Sequence, residues 1–400
     1  MTADALQRRG FLLGLGGAMA LGGTRLALAQ GPAGEKRFVV VMLRGALDGL
    51  AAVAPYGDPG FAALRGPHAP PEPGQEGGTL DLGGFFGLHP ALPKLHALYA
   101  ADQALVLHAI AGPWRSRSHF EAQDLLECGT TQRLPDGWLN RALATMPAEA
   151  PGAARRGLAL GIDVPLLLRG PVRVGSFASR ARARPDTQVL AALARLHRAD
   201  RDLGPAFAEG LRSRGFSAAV LNGQEPPPPG TNGFVTLAGS AARLLADPRG
   251  PRVAALELGG WDTHATQGPR LATALHVLDD GLAALRTGLG AAWAETAVLV
   301  MTEFGRTARI NGTQGTDHGT AGVAFLLGGA VQGGRVVADW PGVGPGRLFE
   351  NRDLAPTLDL RRLAKGLLAG HLGLNEAALL RAFPNSRGAE PLPGLVKVPA

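Results

Sequence analysis
Within residues 297–327 (AVLVMTEFGRTARINGTQGTDHGTAGVAFLL), an apolar run gives way abruptly to Glu303, Arg306, Asn311, Asp317 and His318. A matching cluster, Trp261-Asp262-Thr263-His264, follows the apolar run 253–258. Imidazole mixed with carboxylate is the donor chemistry of a divalent-metal site. Asp48-Gly49 comes soon after the first apolar run, 38–43, and offers a further carboxylate. These acids also have a plainer reading, because Asp and Gly both favour turns. A second kind of chemistry stands at Ser118, flanked by Arg115, Arg117 and His119 and followed three residues on by Glu121. That spacing is a capping box at a helix start. A hydroxyl at a helix N-terminus among arginines is also how a nucleophile meets an anion.

These groups need elements that bring them together. Residues 297–302 are almost wholly apolar, as expected of a strand buried on both faces of a parallel sheet. Between the two clusters, Leu271, Leu275, Leu278, Leu282 and Leu285 recur at three- and four-residue steps, the pattern of an amphipathic helix over 270–289. Strand, polar loop, helix and strand make a βαβ unit, whose parallel strands carry both polar loops to one edge of the sheet. Residues 322–327 read as the next strand. Residues 104–110 form another, leading into the helix at Ser118. The stretch 130–235 contains helical segments at 188–198 and 204–213 and a Pro-rich breaker at 224–230, and it reads as an insertion or cap over the site. The fold class expected is α/β, a mostly parallel sheet with helices on both faces.

The 400-residue chain has a net charge of +7. Residues 1–29 carry Arg8-Arg9 before Phe11-Leu12, a Gly/Ala/Leu stretch and Ala27-Leu28-Ala29, the pattern of a twin-arginine export signal. The apolar stretch 11–21 is short for a membrane span, which needs roughly 20 residues. Removing 1–29 takes away Arg8, Arg9, Arg25 and Asp4, so +7 becomes +5 over the remaining 371 residues. The expected location is periplasmic or secreted, with the twin-arginine machinery as export partner and no membrane attachment afterwards. The scattered arginines, two Tyr and five Trp provide no base-stacking platform, which argues against nucleic acid. Cys128 is the single cysteine, as suits folding in a reducing compartment before export. No Gly-rich phosphate loop follows the first strand, which excludes a dinucleotide oxidoreductase.

The blocks LRGALDGL, FGLHPAL, RSHFEAQD, WDTH, TEFGRT, GTDHG and RDLAPTLDLR, together with the signal, run in order along nearly the whole mature chain. In these the sequence resembles domain-of-unknown-function family 1501, grouped with the alkaline phosphatase and sulfatase superfamily. The resemblance implies an alkaline-phosphatase-like domain over 30–400 and hydrolysis of phosphate or sulfate esters of an anionic small molecule. It implies Ser118 as nucleophile and a divalent metal, with Asp48, Asp262, His264 and His318 as ligands, and Glu303 and Asp317 join them as donors from the same polar loop. Arg44, Arg115, Arg117, His119 and Arg306 are then the substrate-binding set. At Glu303-Phe304 the superfamily commonly has Asp-His, which leaves one metal position short of an imidazole. The metal is Mn, Ca, Mg or Zn, and oxygen-rich ligation favours the first three. The alternative function is a catalytically impaired relative that binds a ligand or partner on the same scaffold.

Overall fold
The run Phe38-Val-Val-Val-Met-Leu43 has no polar side chain to turn toward water, and its residues are at most 1% exposed. It forms β1 (Arg37–Arg44), at the centre of the main sheet. The computed structural model describes residues 36–147, 156–161, 163–178, 187–201, 203–221 and 230–397. The export signal expected in 1–29 lies outside them. The other strands are β2 (Val53–Ala54), β3 (Leu80–Asp81), β4 (Gly87–Leu88), β5 (Ala104–Ala111), β6 (Gly157–Leu160) and β7 (Gly175–Phe177). They continue with β8 (Val253–Gly259), β9 (Thr296–Thr302), β10 (Gly322–Leu327), β11 (Arg335–Val337) and β12 (Leu358–Asp359).

The main sheet runs β11-β5-β10-β9-β1-β8-β6-β7, with β12 also paired to β5, while β2, β4 and β3 form a small separate sheet. Val40 of β1 stands between Ala255 of β8 and Leu299 of β9, and both pairings are parallel. Thus β8 and β9 are parallel as expected, but they flank β1 instead of pairing with each other. β10 is antiparallel to both β5 and β9. That reversal has a consequence for the site. The loop 303–321 leaves β9 at the carboxyl edge and re-enters the sheet at that same edge, so its polar residues never leave it.

Alternation along β1 feeds two cores. Phe38, Val40 and Met42 pack toward the helices His119–Cys128, Trp138–Leu143, Leu360–Gly370 and Glu376–Ala382. Val39, Val41 and Leu43 pack toward Pro93–Ala100, Gly233–Ala246 and Gln267–Leu289. The sheet is therefore covered on both faces. The helix Gln267–Leu289 buries Leu271, Leu275, Leu278, Leu282, Leu285 and Leu289. Truncating any one of these to Ala would cost about 2–5 kcal/mol.

The stretch 130–235 is not all cover. It contributes β6 and β7 to the edge of the main sheet, beside β8. Its helical segments lie at Thr187–His197 and Leu203–Leu221. Among the described residues, no helix is long and apolar enough to cross a membrane.

Candidate metal centre
The parallel strands deliver their loops to one edge. β8 leads to Asp262 and His264, β9 to Glu303, and β5 to Ser118 and His119, while His318 stands just before β10. The turn after β8 is held by Trp261, wholly buried, whose Nε1 donates to the Leu258 carbonyl at 2.8 Å. Gly45 packs directly beneath this turn, at φ +119°. A Cβ there would sit 2.7 Å from the Asp262 nitrogen.

Asp262 Oδ1 is the focus. Arg306 NH1 donates to it at 2.6 Å, with the guanidinium side chain fully buried. Around the same oxygen stand His264 Nε2 at 3.0 Å, His318 Nε2 at 3.1 Å and His119 Nε2 at 3.5 Å. His264 Nε2 and His318 Nε2 lie 3.0 Å apart. His119 Nε2 is buried and has no hydrogen-bond partner.

The other nitrogen of each ring faces an acceptor. His119 Nδ1 meets Glu303 Oε1 at 2.8 Å, His264 Nδ1 meets Asp317 Oδ1 at 3.0 Å, and His318 Nδ1 meets the Arg117 carbonyl at 2.8 Å. Neutral rings so placed carry their proton on Nδ1 and turn the Nε2 lone pair inward. This is the arrangement by which carboxylates and carbonyls behind histidines orient metal ligands.

The three acids are held ionised. Burial would raise the Asp262 carboxyl, but the hydrogen bond and charge of Arg306, aided by the histidines, bring it down to about 2. Burial likewise opposes ionisation of Glu303, yet hydrogen bonds from His119 and Gln123 hold it below its usual range. The His264 hydrogen bond lowers Asp317. The Glu303 hydrogen bond pushes His119 up, and burial pushes His318 down.

The donor set fits one metal ion. Ligand atoms around a tetrahedral ion with bonds of roughly 2.0–2.2 Å stand roughly 3.3–3.6 Å apart. His119, Asp262 and His318 offer atoms all within 4.8 Å of one another. His264 stands beside this group, 3.0 Å from Asp262 Oδ1 and from His318 Nε2, without belonging to the mutually close set.

Not every expected site residue takes the expected place. Glu303 and Asp317 stand behind imidazoles rather than pointing into the cluster. Asp48, 1% exposed, has both oxygens engaged. Arg65 grips it at 2.7 and 2.8 Å, Gln267 Nε2 donates at 2.7 Å, and the Leu50 and Ala51 amides donate to Oδ1. It thus caps the short helix Gly49–Ala52 and pins Gln267, and it lies outside the imidazole cluster. Beside Phe304 an imidazole is nonetheless present, that of His119. The Phe304 ring stacks on His119 at 5.0 Å and contacts His318 at 5.2 Å.

Ser118 stands at the N-cap of the helix His119–Cys128, but its side chain makes no capping bond. Glu121 instead accepts from Ser116 Oγ at 2.6 Å, and Ser116 Oγ accepts from the Ser118 amide. The expected capping box does not form, and the Ser118 hydroxyl is exposed. The arginines are already engaged. Arg44 pairs with Glu127 and Glu257, and Arg117 with Asp353 and Glu350. Arg115 donates to the Gly112 and Trp114 carbonyls and lies over the Phe349 ring. A shallow surface depression adjoins the cluster, too tight to hold a water molecule and lined by Trp114, Arg115, Ser116, Glu303, Phe304 and Thr320 among others.

A family model described as "Protein of unknown function (DUF1501)" matches residues 108–383. No curated protein matches the chain. Among solved structures, Ps i-CgsB in complex with k-i-k-neocarrahexaose is similar at 12% identity, covering 89% of this chain and 77% of that one, with a TM-score of 0.38. The C-terminal periplasmic domain of EcEptC from Escherichia coli, in complex with Zn, is similar at 11% identity, covering 74% of each chain, with a TM-score of 0.33. The phosphonate monoester hydrolase of Agrobacterium radiobacter is similar at 13% identity, covering 76% and 70%, with a TM-score of 0.32. Likeness at these scores is remote, and the site has to stand on its own geometry.

Proposed function
The chain belongs to the DUF1501 family, and we propose that it is a divalent-metal-dependent hydrolase of phosphate or sulfate esters, exported through the twin-arginine signal in residues 1–29. One observation carries the reading. Three imidazole Nε2 atoms surround Asp262 Oδ1, and one of them, on His119, is buried with no hydrogen-bond partner among the described residues.

His119, His264, His318 and Asp262 would hold the metal. When bound, it supplies Lewis-acid stabilisation of charge on the ester oxygens and lowers the pKa of an adjacent hydroxyl. Glu303, Asp317 and the Arg117 carbonyl hold the ring protons on Nδ1, keeping the inward nitrogens free of protons. Ser118 precedes His119 directly, and its hydroxyl is not consumed by the helix cap. It serves as nucleophile, forming a bond to phosphorus or sulfur as the bond to the leaving oxygen breaks. Water then releases the acid and restores the hydroxyl. Arg115 lines the adjoining depression and is the guanidinium best placed to meet the anion.

The test pairs stability with turnover. Because Ser118 is exposed and does not cap, Ser118→Ala should change stability by less than about 0.5 kcal/mol. It should also lower turnover of a phosphate or sulfate ester by on the order of 10³-fold or more. A variant as active as the wild type would remove Ser118 as nucleophile and leave attack by water.

A second reading, a catalytically impaired relative that binds a ligand or partner on the same scaffold, is favoured by the pairing of Arg44 and Arg117 with carboxylates, which leaves neither free to clamp a reacting ester. Metal-replete protein that binds inorganic phosphate or sulfate yet hydrolyses no ester would decide for it.

A further inference from the structure
We propose that the centre takes a single ion of the imidazole-preferring kind, zinc or its neighbours iron(II), cobalt and nickel, with Arg306 as the fixed cation that keeps a second ion out. The inference rests on the reading above for the location of the centre, and it adds the number and class of ion.

The first argument is the donor set. Two imidazole nitrogens, of His119 and His318, and one oxygen of Asp262 converge, with His264 Nε2 3.0 Å from the last two and no thiolate among them. Imidazole suits zinc, iron, copper and nickel, whereas magnesium and calcium take oxygen. The carboxylates that would have made the site oxygen-rich, those of Glu303 and Asp317, are turned to the far nitrogens of His119 and His264. The second argument is the contact between His264 and His318. The two Nε2 atoms stand 3.0 Å apart and each within 3.1 Å of Asp262 Oδ1, while each Nδ1 faces an acceptor of its own, so that acceptors outnumber the protons of neutral rings. A cation bound by both relieves that contact.

The third argument is charge. Asp262, Glu303 and Asp317 share one guanidinium, that of Arg306, which leaves two formal negative charges to be met by the imidazoles or a bound cation. One divalent ion neutralises them. A second would stand against Arg306, which is fully buried, bonded to Asp262 at 2.6 Å, and further tied to Thr316. Asp48, the remaining acid first expected in the site, is neutralised by Arg65.

The experiment uses untagged full-length protein, stripped by chelation and titrated calorimetrically with zinc, magnesium and calcium, with elemental analysis after reloading. The expected result is one zinc per chain, not displaced by millimolar magnesium or calcium. His318→Ala should weaken zinc binding by more than the roughly 10–100-fold typical of a lost supporting contact. His276→Ala, on the exposed face of the helix Gln267–Leu289, should leave it unchanged. Circular dichroism on each variant separates lost binding from lost folding. Two zinc ions per chain, magnesium or calcium bound as tightly as zinc, no zinc on folded wild type, or unchanged affinity in folded His318→Ala would each overturn the inference. A protein that binds one zinc but hydrolyses no ester would end the hydrolase reading and leave this one standing. Ester turnover supported by magnesium alone would do the reverse.

Discussion

Replacing Glu303 by Gln separates a carboxylate's charge from its hydrogen bonds. Glu303 is 1% exposed. Its Oε1 accepts from His119 Nδ1 at 2.8 Å, and from Gln123 Nε2 and the Gly45 amide at 2.9 Å each. Its Oε2 accepts from Thr302 Oγ1 at 2.8 Å. A glutamine of the same shape keeps an acceptor for the first three donors. Its amide can donate to Thr302 Oγ1, which still has the Leu43 carbonyl at 2.9 Å as an acceptor. The fold should therefore survive, while His119 loses the anionic acceptor that raises the basicity of its inward nitrogen. Losses of this kind cost 10–100-fold in metal affinity, or about 1.4–2.7 kcal/mol. Competition of Glu303→Gln against a chromophoric zinc chelator measures the affinity, and a melting curve checks the fold. Unchanged zinc affinity in the folded variant would refute the reasoning and reduce Glu303 to a packing residue.

Gly45→Ala would place a methyl 2.7 Å from the Asp262 nitrogen, at φ +119° where side chains are strained. The expectation is a loss of about 1–3 kcal/mol together with weakened metal binding, and a variant matching wild type in both melting temperature and zinc affinity would contradict it. His108 is buried and held neutral, pushed by burial from 6.5 down to about 4. Between those values the unfolded chain takes up a proton that the folded one does not. Stability is therefore full above pH 6.5 and falls progressively toward pH 4, by about 3 kcal/mol for a shift of 2.5 units at 1.36 kcal/mol each. Denaturant titrations of wild type and His108→Asn at pH 7 and pH 4.5 isolate this contribution, and parallel losses in both would refute it. Phe120, adjacent to His119 and 88% exposed, should contact the organic part of the ester. Phe120→Ala is expected to raise KM with little change in kcat in steady-state kinetics, and an unchanged KM would exclude that contact.

The strands that hold the site were legible because their chemistry is one-dimensional. β1, β8 and β9 read as apolar runs, and the helix Gln267–Leu289 as a leucine stripe. Direction was not legible: the run at Gly322–Leu327 reads the same parallel or antiparallel, and only its pairing with β5 and β9 shows it reversed. The apolar run 156–168 reads as strand-like and contains β6, but nothing local shows that it joins the main sheet, and β7, with three residues, is too short to show a period. Composition also cannot distinguish a ligand from the acid behind it. Glu303 and Asp317 looked like ligands because they are carboxylates near histidines, and His119 looked like a substrate contact because it adjoins Ser118. The available signal was positional, since His119 follows β5 at the same edge to which β8 and β9 deliver their loops. The Asp48–Arg65 pair, seventeen residues apart, depends on a turn that no local pattern announces.

The central claim is that ester hydrolysis occurs at the His119, Asp262, His264 and His318 centre. It is tested most directly by one series on the full-length protein, stripped of metal and then reloaded, assayed with chromogenic phosphate and sulfate esters. Stripped protein should be inactive, reloading should restore turnover, and folded His318→Ala should stay inactive with metal in excess. Wild type that hydrolyses no ester when metal-replete, or His318→Ala that keeps wild-type turnover, would contradict the account.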